Sequence, residues 1–247
     1  MKLTLEVNGL TYDAFYSDCD VEGVFKPLLT EWAGLRGSDS RRRAIILLAA
    51  PPGTGKTTLA LFLERLASTL PDMPRVQALG MDGFHYPNAY LETHIVVEGG
   101  ERKSLRSRKG APFTFDVEAL ARSVADLRHA KPSPWPAYSR ELHDVVPSAI
   151  NITGEIVLIE GNYLLLDEPR WRDLAAMADQ TVFLSADERM LRDRLVRRKM
   201  MGGTTRPEAE MWYEMSDGKN VRLVLSSHVP ADAELMLADD GSMSRLR

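Results

Sequence analysis

The residues best suited to chemistry form one run, Ala50-Pro51-Pro52-Gly53-Thr54-Gly55-Lys56-Thr57-Thr58. Glycines let successive backbone N–H groups turn toward a polyphosphate, a lysine reaches its outer oxygens, and a hydroxyl one residue later can ligate Mg²⁺. The pattern is G-x-x-x-x-G-K-[ST], with Ala50 at the first glycine position. On this reading Pro52, Gly53, Thr54, Gly55, Lys56, Thr57 and Thr58 hold ATP, with Lys56 on the phosphates and Thr57 on the metal. The bland alternative is a Gly/Pro turn that happens to carry a lysine. An apolar strand pattern before the run and a helical pattern after it favour the phosphate site, because a helix N-terminus adds partial positive charge.

Two carboxylates end predicted strands. Asp82, in Met81-Asp82-Gly83-Phe84-His85, could take the proton of an attacking hydroxyl; its plain alternative is a turn residue before Gly83. Glu160 closes the apolar run Ile156-Val157-Leu158-Ile159 and precedes Gly161-Asn162, a terminus suited to supporting Mg²⁺ or orienting an acceptor. A surface or capping glutamate is the competing explanation, weakened by the cost of burying an unpaired acid after four apolar residues. Farther on, Arg194, Arg197 and Arg198 recur at i, i+3 and i+4 and share a helix face before Gly202-Gly203. Arginines on a closing lid stabilise the charge of a transferring phosphoryl group, whereas a basic helix face is more often only solvated.

These groups need a scaffold. Short apolar strands at 44–49, 76–80, 156–160 and 181–184 alternate with helical patterns at 56–70, 117–128, 171–177, 188–200 and 207–215, and less clearly at 220–227. Such alternation predicts an α/β fold with a mainly parallel sheet. Ahead of it, alternating residues 2–16 about Asn8-Gly9 predict a β-hairpin. Val21, Val24, Phe25, Leu28, Leu29 and Trp32 predict a helix that Pro27 could kink. Residues 1–38 are therefore expected to form a cap packed on a 39–247 core. The polar stretch 93–112 shows no period and reads as a long loop.

The 247 residues are 44% hydrophobic, enough for one large domain with an appendage. A net charge of -4 gives no overall positive field for a nucleic-acid polymer. The single cysteine, Cys19, permits no internal disulfide, and no Cys/His cluster has zinc spacing. The longest apolar stretch, 44–50, falls far short of the roughly 20 residues that span a bilayer. No leader-like apolar run follows Lys2, so a cytoplasmic protein with no membrane partner is expected.

Taken together, the motifs resemble those of the phosphoribulokinase/uridine kinase/bacterial-type pantothenate kinase superfamily over roughly residues 41–240. The closest likeness is to a bacterial branch labelled nucleoside kinase or fructose-transport-system kinase. Arg108-Lys109-Gly110-Ala111-Pro112-Phe113-Thr114-Phe115-Asp116 is similar to the R-K-G-x-P-x-x-[YF]-D stretch of pantothenate kinases, Pro136-Ala137-Tyr138-Ser139-Arg140-Glu141-Leu142-His143 to the P-x-Y-D-x-x-x-H stretch of uridine kinases, and Arg194-Leu195-Val196-Arg197-Arg198 to the R-L-x-R-R lid motif.

The resemblance implies a P-loop three-layer αβα sandwich that transfers the ATP γ-phosphoryl group to a hydroxyl of a sugar, nucleoside or pantothenate-like metabolite. It places the acceptor segment at about 82–150 and an arginine-bearing lid at about 192–215, and it suggests a homodimer. It makes Asp82 the general base, with Lys56, Glu160, Arg194 and Arg197 also catalytic. Phe84, His85, Lys109, Tyr138, Arg140, His143 and Asn162 become the acceptor contacts, although His85 and His143 also read as ordinary surface or structural histidines. Ser139 stands where uridine kinases carry Asp, which weakens the case for a pyrimidine nucleoside. The rival from another class is a nucleotide-binding regulator acting through its N-terminal cap, for which the polar segments 108–116 and 136–143 would have no use.

Overall fold

The computed structural model describes residues 1–7, 10–36, 42–128 and 134–247. Strands β1 (Lys2–Val7) and β2 (Leu10–Phe15) pair antiparallel as the expected hairpin; the Asn8-Gly9 turn and the boundary at 38/39 lie outside the described residues. Helix α1 (Asp18–Asp20) continues through a wide turn, Val21–Phe25, into α2 (Lys26–Arg36). Pro27 does not break this rod, because the wide turn ahead of it already departs from the i→i−4 ladder that a missing N–H would interrupt.

The core sheet takes β3 (Ala44–Ala49), β4 (Val76–Gly80), β9 (Ile156–Gly161), β10 (Gln180–Ala186), β11 (Ala233–Leu237) and β12 (Met243–Arg245). Between β4 and β9 lie two small antiparallel hairpins, β5 (Ile95–Glu98) with β6 (Glu101–Ser104) and β7 (Trp135–Ser139) with β8 (Asp144–Ile150). The order across the core sheet is β12-β11-β10-β3-β9-β4, parallel throughout except for β12.

Helices α3 (Lys56–Ala67), α4 (Asn88–Thr93), α5 (Val117–Arg128), α6 (Arg172–Ala175), α7 (Glu188–Met201), α8 (Arg206–Trp212) and α9 (Gly218–Ser226) complete the chain. Side chains alternate across a strand, so β3 feeds both faces of the sheet: Ala44, Ile46 and Leu48 join one buried layer with α3, while Ile45, Leu47 and Ala49 join another with α5. The result is the three-layer αβα sandwich expected.

The cap belongs to the first of these layers. Tyr16 packs edge-on against Phe62 of α3 at 4.3 Å between ring centroids and against Phe25 at 5.0 Å. The buried Asp20 carboxylate accepts the backbone N–H of Met243 at 2.9 Å, tying the start of the chain to its last strand.

Several expected bounds move. Residues 93–112 are not one loop: they hold the β5–β6 hairpin, turned by Gly99 and Gly100 at φ 62 and 81, and a 3₁₀ turn, Leu105–Arg108. Strand β5 is apolar at Ile95, Val96 and Val97 yet leaves Ile95 and Val97 exposed, and β6 is polar, so neither strand shows the alternation of a half-buried sheet. The helix expected at 171–177 shrinks to α6, and that at 207–215 gives way to a second wide turn, Tyr213–Asp217. Strand β11 escaped prediction because Ala, Glu, Leu and Met favour helix, and pairing with β10 overrides that preference.

Candidate active site

β3, β4 and β9 run parallel, so their carboxyl ends open on the same edge of the sheet. Residues 50–55 leave β3 there and enter α3. Gly53 and Gly55 adopt φ 88 and 89, and Gly55 caps α3 with no side chain covering its first turn. The leading N–H groups of a helix lack intrahelical partners, so this end of α3 is ready for phosphate oxygens. Thr54 is buried, and its hydroxyl donates to Pro51 O at 2.9 Å, so its side chain shapes the loop from inside.

Glu160 is the centre of the polar contacts. Its carboxylate accepts the Thr57 hydroxyl at 2.7 Å and lies 3.7 Å from Lys56 Nζ. Burial pushes the Glu160 carboxyl well above the usual carboxylate range, and the negative charge of Asp82 pushes the same way, while Lys56 and the Thr57 hydrogen bond oppose them. Thr57 and Glu160 are hard oxygen donors, and Mg²⁺ takes one or two such protein groups together with phosphate oxygens. The donor set fits that ion: among the described residues no group of three His, Cys, Asp or Glu forms an all-protein metal cage.

Asp82 is exposed on the 3₁₀ turn Met81–Phe84 after β4. Its neighbour Gly83 is pressed against β7: a Cβ there would lie 2.2 Å from Pro136 O. Trp135 reinforces the joint by donating Nε1–H to Gly80 O at 2.8 Å. As a result the acid and the β7 residues Pro136, Ala137 and Tyr138 share one cavity of about 440 Å³. Lys56, Thr57 and Glu160 face the same cavity, as do Pro52, Gly53, Gly55 and Thr58 of the phosphate loop. Arg140 and Asn162 line it too, and the Asn162 Oδ1 is buried without a hydrogen-bond partner among the described residues. From α7, Arg194 and Arg198 reach in; Arg194 Nη1 donates to Thr54 O at 3.4 Å.

Other expected contacts lie behind or beside this wall. Phe84 is buried and packs edge-on against Trp135 at 4.8 Å, so it supports the turn from the core. His85 packs at a tilt against Phe115, 3.8 Å between ring centroids, and sits 5.5 Å from Tyr138; burial lowers its pKa and favours the neutral ring. Lys109 lies over the Tyr138 ring at 4.7 Å and donates to Asn88 Oδ1 and His143 O. His143 takes φ 50 and offers that carbonyl, while its side chain is exposed. Arg197 is exposed and does not line the cavity, whereas Arg198 does. The reason is helical: residues four apart stand nearly one above the other, so Arg198, not Arg197, repeats the direction of Arg194.

No helix among the described residues is long and apolar enough to cross a membrane. Comparison with known proteins agrees with the geometry. Residues 45–210 match the family described as Phosphoribulokinase / Uridine kinase family. The chain is 42% identical over 241 residues to a protein of Escherichia coli strain K12 named "Uncharacterized protein YggC", covering 98% of each. It is 30% identical to the pantothenate kinase of Actinobacillus succinogenes over 66% of this chain and 50% of that protein. Among solved structures, a "putative fructose transport system kinase" from Silicibacter sp. TM1040 superposes with a TM-score of 0.75 at 31% identity, over 85% of this chain and 98% of that one.

Proposed function

The chain belongs to the phosphoribulokinase/uridine kinase family of P-loop small-molecule kinases, and from that premise we propose that it moves the ATP γ-phosphoryl group to a hydroxyl of a sugar, nucleoside or pantothenate-like metabolite. One observation carries the reading: a single cavity is lined both by the phosphate loop and by Asp82, Tyr138, Arg140 and Asn162. A donor phosphate and an acceptor hydroxyl held there would already be neighbours, which removes much of the entropic cost of a two-substrate reaction.

In this reading the acceptor oxygen bonds to the γ-phosphorus, the bond to the β-phosphate bridging oxygen breaks, ADP leaves, and Asp82 takes the hydroxyl proton. Lys56 and the open amides of α3 hold the phosphates. Thr57 and Glu160 would hold Mg²⁺, which supplies charge neutralisation on the phosphate oxygens. Glu160 is released for that task when Lys56 turns to the phosphates. Arg194 and Arg198 stand where charge develops on the transferring group. Asn162 Oδ1, lacking a partner among the described residues, would accept from an acceptor hydroxyl. Residues 82–150 supply the acceptor wall, residues 192–215 the lid, and residues 1–38 a cap built into the fold.

The test is ATP consumption by the full chain across sugars, sugar alcohols, nucleosides and pantothenate. Lys56→Ala should abolish turnover, and Asp82→Asn should keep ATP affinity while losing acceptor phosphorylation. Near-normal turnover in either variant would refute the corresponding role.

A further inference from the structure

Residues 108–110 join two parts of the molecule. Lys109 serves the acceptor wall: its ammonium lies 4.7 Å from the Tyr138 ring centroid and donates to Asn88 Oδ1 at 2.6 Å and to His143 O, in the β7–β8 turn, at 2.8 Å. Arg108 serves the lid. Its Nη1 donates to Met215 O at 2.9 Å, and its Nε lies 3.2 Å from Glu98 Oε2. Met215 belongs to the wide turn Tyr213–Asp217 between α8 and α9, and Glu98 closes β5. The other Glu98 oxygen accepts from Lys219 Nζ, on the first turn of α9, at 3.1 Å. One residue on, Gly110 O accepts from the Tyr163 hydroxyl at 2.6 Å and from Asn220 Nδ2 at 3.3 Å.

The Arg108 side chain is only 11% exposed, so this is not one of the solvated surface pairs that contribute little. A guanidinium suits the place, because its rigid fork meets a carboxylate and a carbonyl together, which an ammonium on a flexible stem does less well. The wide turn that Arg108 grips leads on to the donor side. Tyr213, at the start of the turn, is buried in one layer with Leu191 and Leu195 of α7. Leu195 in turn packs on the phosphate loop: a Cβ on Gly53 would lie 3.0 Å from its Cγ. Its neighbour Arg194 donates to Thr54 O at 3.4 Å. Contacts therefore run without a break from Tyr138 through Lys109, Arg108, the wide turn and α7 to the phosphate loop. Contact alone is not coupling, which requires one element that both sites bias. The wide turn is the element that both sides reach, and turns of this kind recur at functional sites.

We infer that Arg108 is a positioning residue for phosphoryl transfer: by bonding Met215 O and Glu98 it ties the acceptor hairpins to the wide turn behind α7, so that nucleotide in the donor site orders the acceptor side. Arg108 does not line the cavity and touches neither substrate; it acts through Met215 on one side and Lys109 on the other. This rests on the kinase reading and deepens it, by naming the joint through which the two halves of the site are set together.

The experiment is amide hydrogen exchange on the full chain with and without Mg²⁺ and the β,γ-imido analogue of ATP, a probe that fills the donor site and needs no acceptor. In the wild type the analogue should slow exchange at residues 50–58 and 191–198 and also at residues 95–110, there by about fivefold or more, the low end of coupling between linked sites. Arg108→Gln should keep the first response and lose the second. Arg108→Lys, which keeps the charge but not the fork, should recover part of it. Kinetics with an acceptor from the ATP-consumption screen give a second readout. In Arg108→Gln kcat/KM for the acceptor should fall about ten- to hundredfold, as for misplaced reacting groups, while KM for ATP stays within about twofold. A residue that only braces the fold would lower Tm and leave the response of residues 95–110 to the analogue in place. No slowing at residues 95–110 in the wild type, or equal slowing in Arg108→Gln, overturns the inference and leaves the kinase reading standing; the wild-type arm does not depend on the variant folding. If the analogue does not bind the wild type at all, both fall.

Discussion

Gly83→Ala tests how the acid is held. The methyl group would enter at 2.2 Å from Pro136 O, 2.5 Å from Pro136 C and 2.9 Å from Ala137 N, all of them backbone atoms that no rotamer change can withdraw. A carbon normally approaches a carbonyl oxygen no closer than about 3.3 Å, so the Asp82 turn and β7 must part by about 1 Å. Overpacking of this kind costs roughly 1–3 kcal/mol. For a chain of this size that is a fall in Tm of about 2–12 °C. The larger effect is expected on turnover. Asp82 rides on one side of the joint and Tyr138 and Arg140 on the other, and a 1 Å misplacement of reacting groups can cost on the order of 100-fold.

The phosphate loop hangs from β3 and is not part of this joint, so ATP affinity should stay within about twofold of wild type, a change of less than 0.5 kcal/mol. The assay is steady-state ADP release with the acceptor found by the ATP-consumption screen, alongside ATP titration and a melting curve. A Gly83→Ala protein with unchanged kcat/KM and unchanged Tm would show that the close approach of β7 does not position Asp82.

Two other outcomes follow from buried carboxylates. Glu160 has a folded-state pKa raised mainly by burial, so the native protein holds this proton more tightly than the unfolded chain does. Stability without nucleotide or metal should therefore fall as pH rises from the ordinary glutamate pKa of about 4.3 through the raised folded-state value. Glu160→Gln should flatten that part of a melting-temperature profile, and an unchanged slope would count against burial as the cause. Asp20 accepts from Met243 N with one oxygen and from Ser17 N and Oγ with the other. Asp20→Ala should cost about 1–3 kcal/mol in denaturant unfolding, and the transition should remain single with kcat little changed. A separate early transition for residues 1–36 would show that the cap is not part of the cooperative core.

Where local chemistry and topology demanded the same residues, the sequence was legible. Strand β3, the Gly-rich turn and α3 could be read directly, because a buried strand needs a continuous apolar run and a phosphate cradle needs glycines. Helix α5 was legible to the residue, since Val117, Leu120, Val124 and Leu127 are buried on one stripe. What was not legible depends on partners distant in sequence. The helix-favouring Ala233–Leu237 becomes a strand only because β10 lies beside it. Phe84 looked like a contact for the acceptor because it follows Asp82-Gly83, yet Trp135, 51 positions away, draws its ring into the core.

The two glycines that follow the strand-end acids give a more exact account of why the acids sit where they do. Asp-Gly invites explanation as a turn in which glycine supplies a positive φ, but Gly83 is not among the residues with positive φ. What Gly83 lacks is a Cβ, and that lets β7 close on it. Gly161 does the same at the end of β9: a Cβ there would lie 2.3 Å from Met81 Sδ, so the side chain preceding Asp82 occupies the space left by the residue following Glu160. Gly80 is different: a Cβ there would lie 3.5 Å from Glu160 Oε1, an ordinary van der Waals contact. The turn that carries Asp82 is thus held by two missing side chains, its own at Gly83 and that of Gly161 beside Glu160. This interlock keeps two negative charges close enough for Asp82 to raise the Glu160 pKa, an electrostatic cost that Lys56 offsets in the resting protein and that a metal–nucleotide complex would offset in the working one. Close packing of this kind at a strand-end pair suits a phosphate-transfer site, because it holds the acids in place before either substrate arrives.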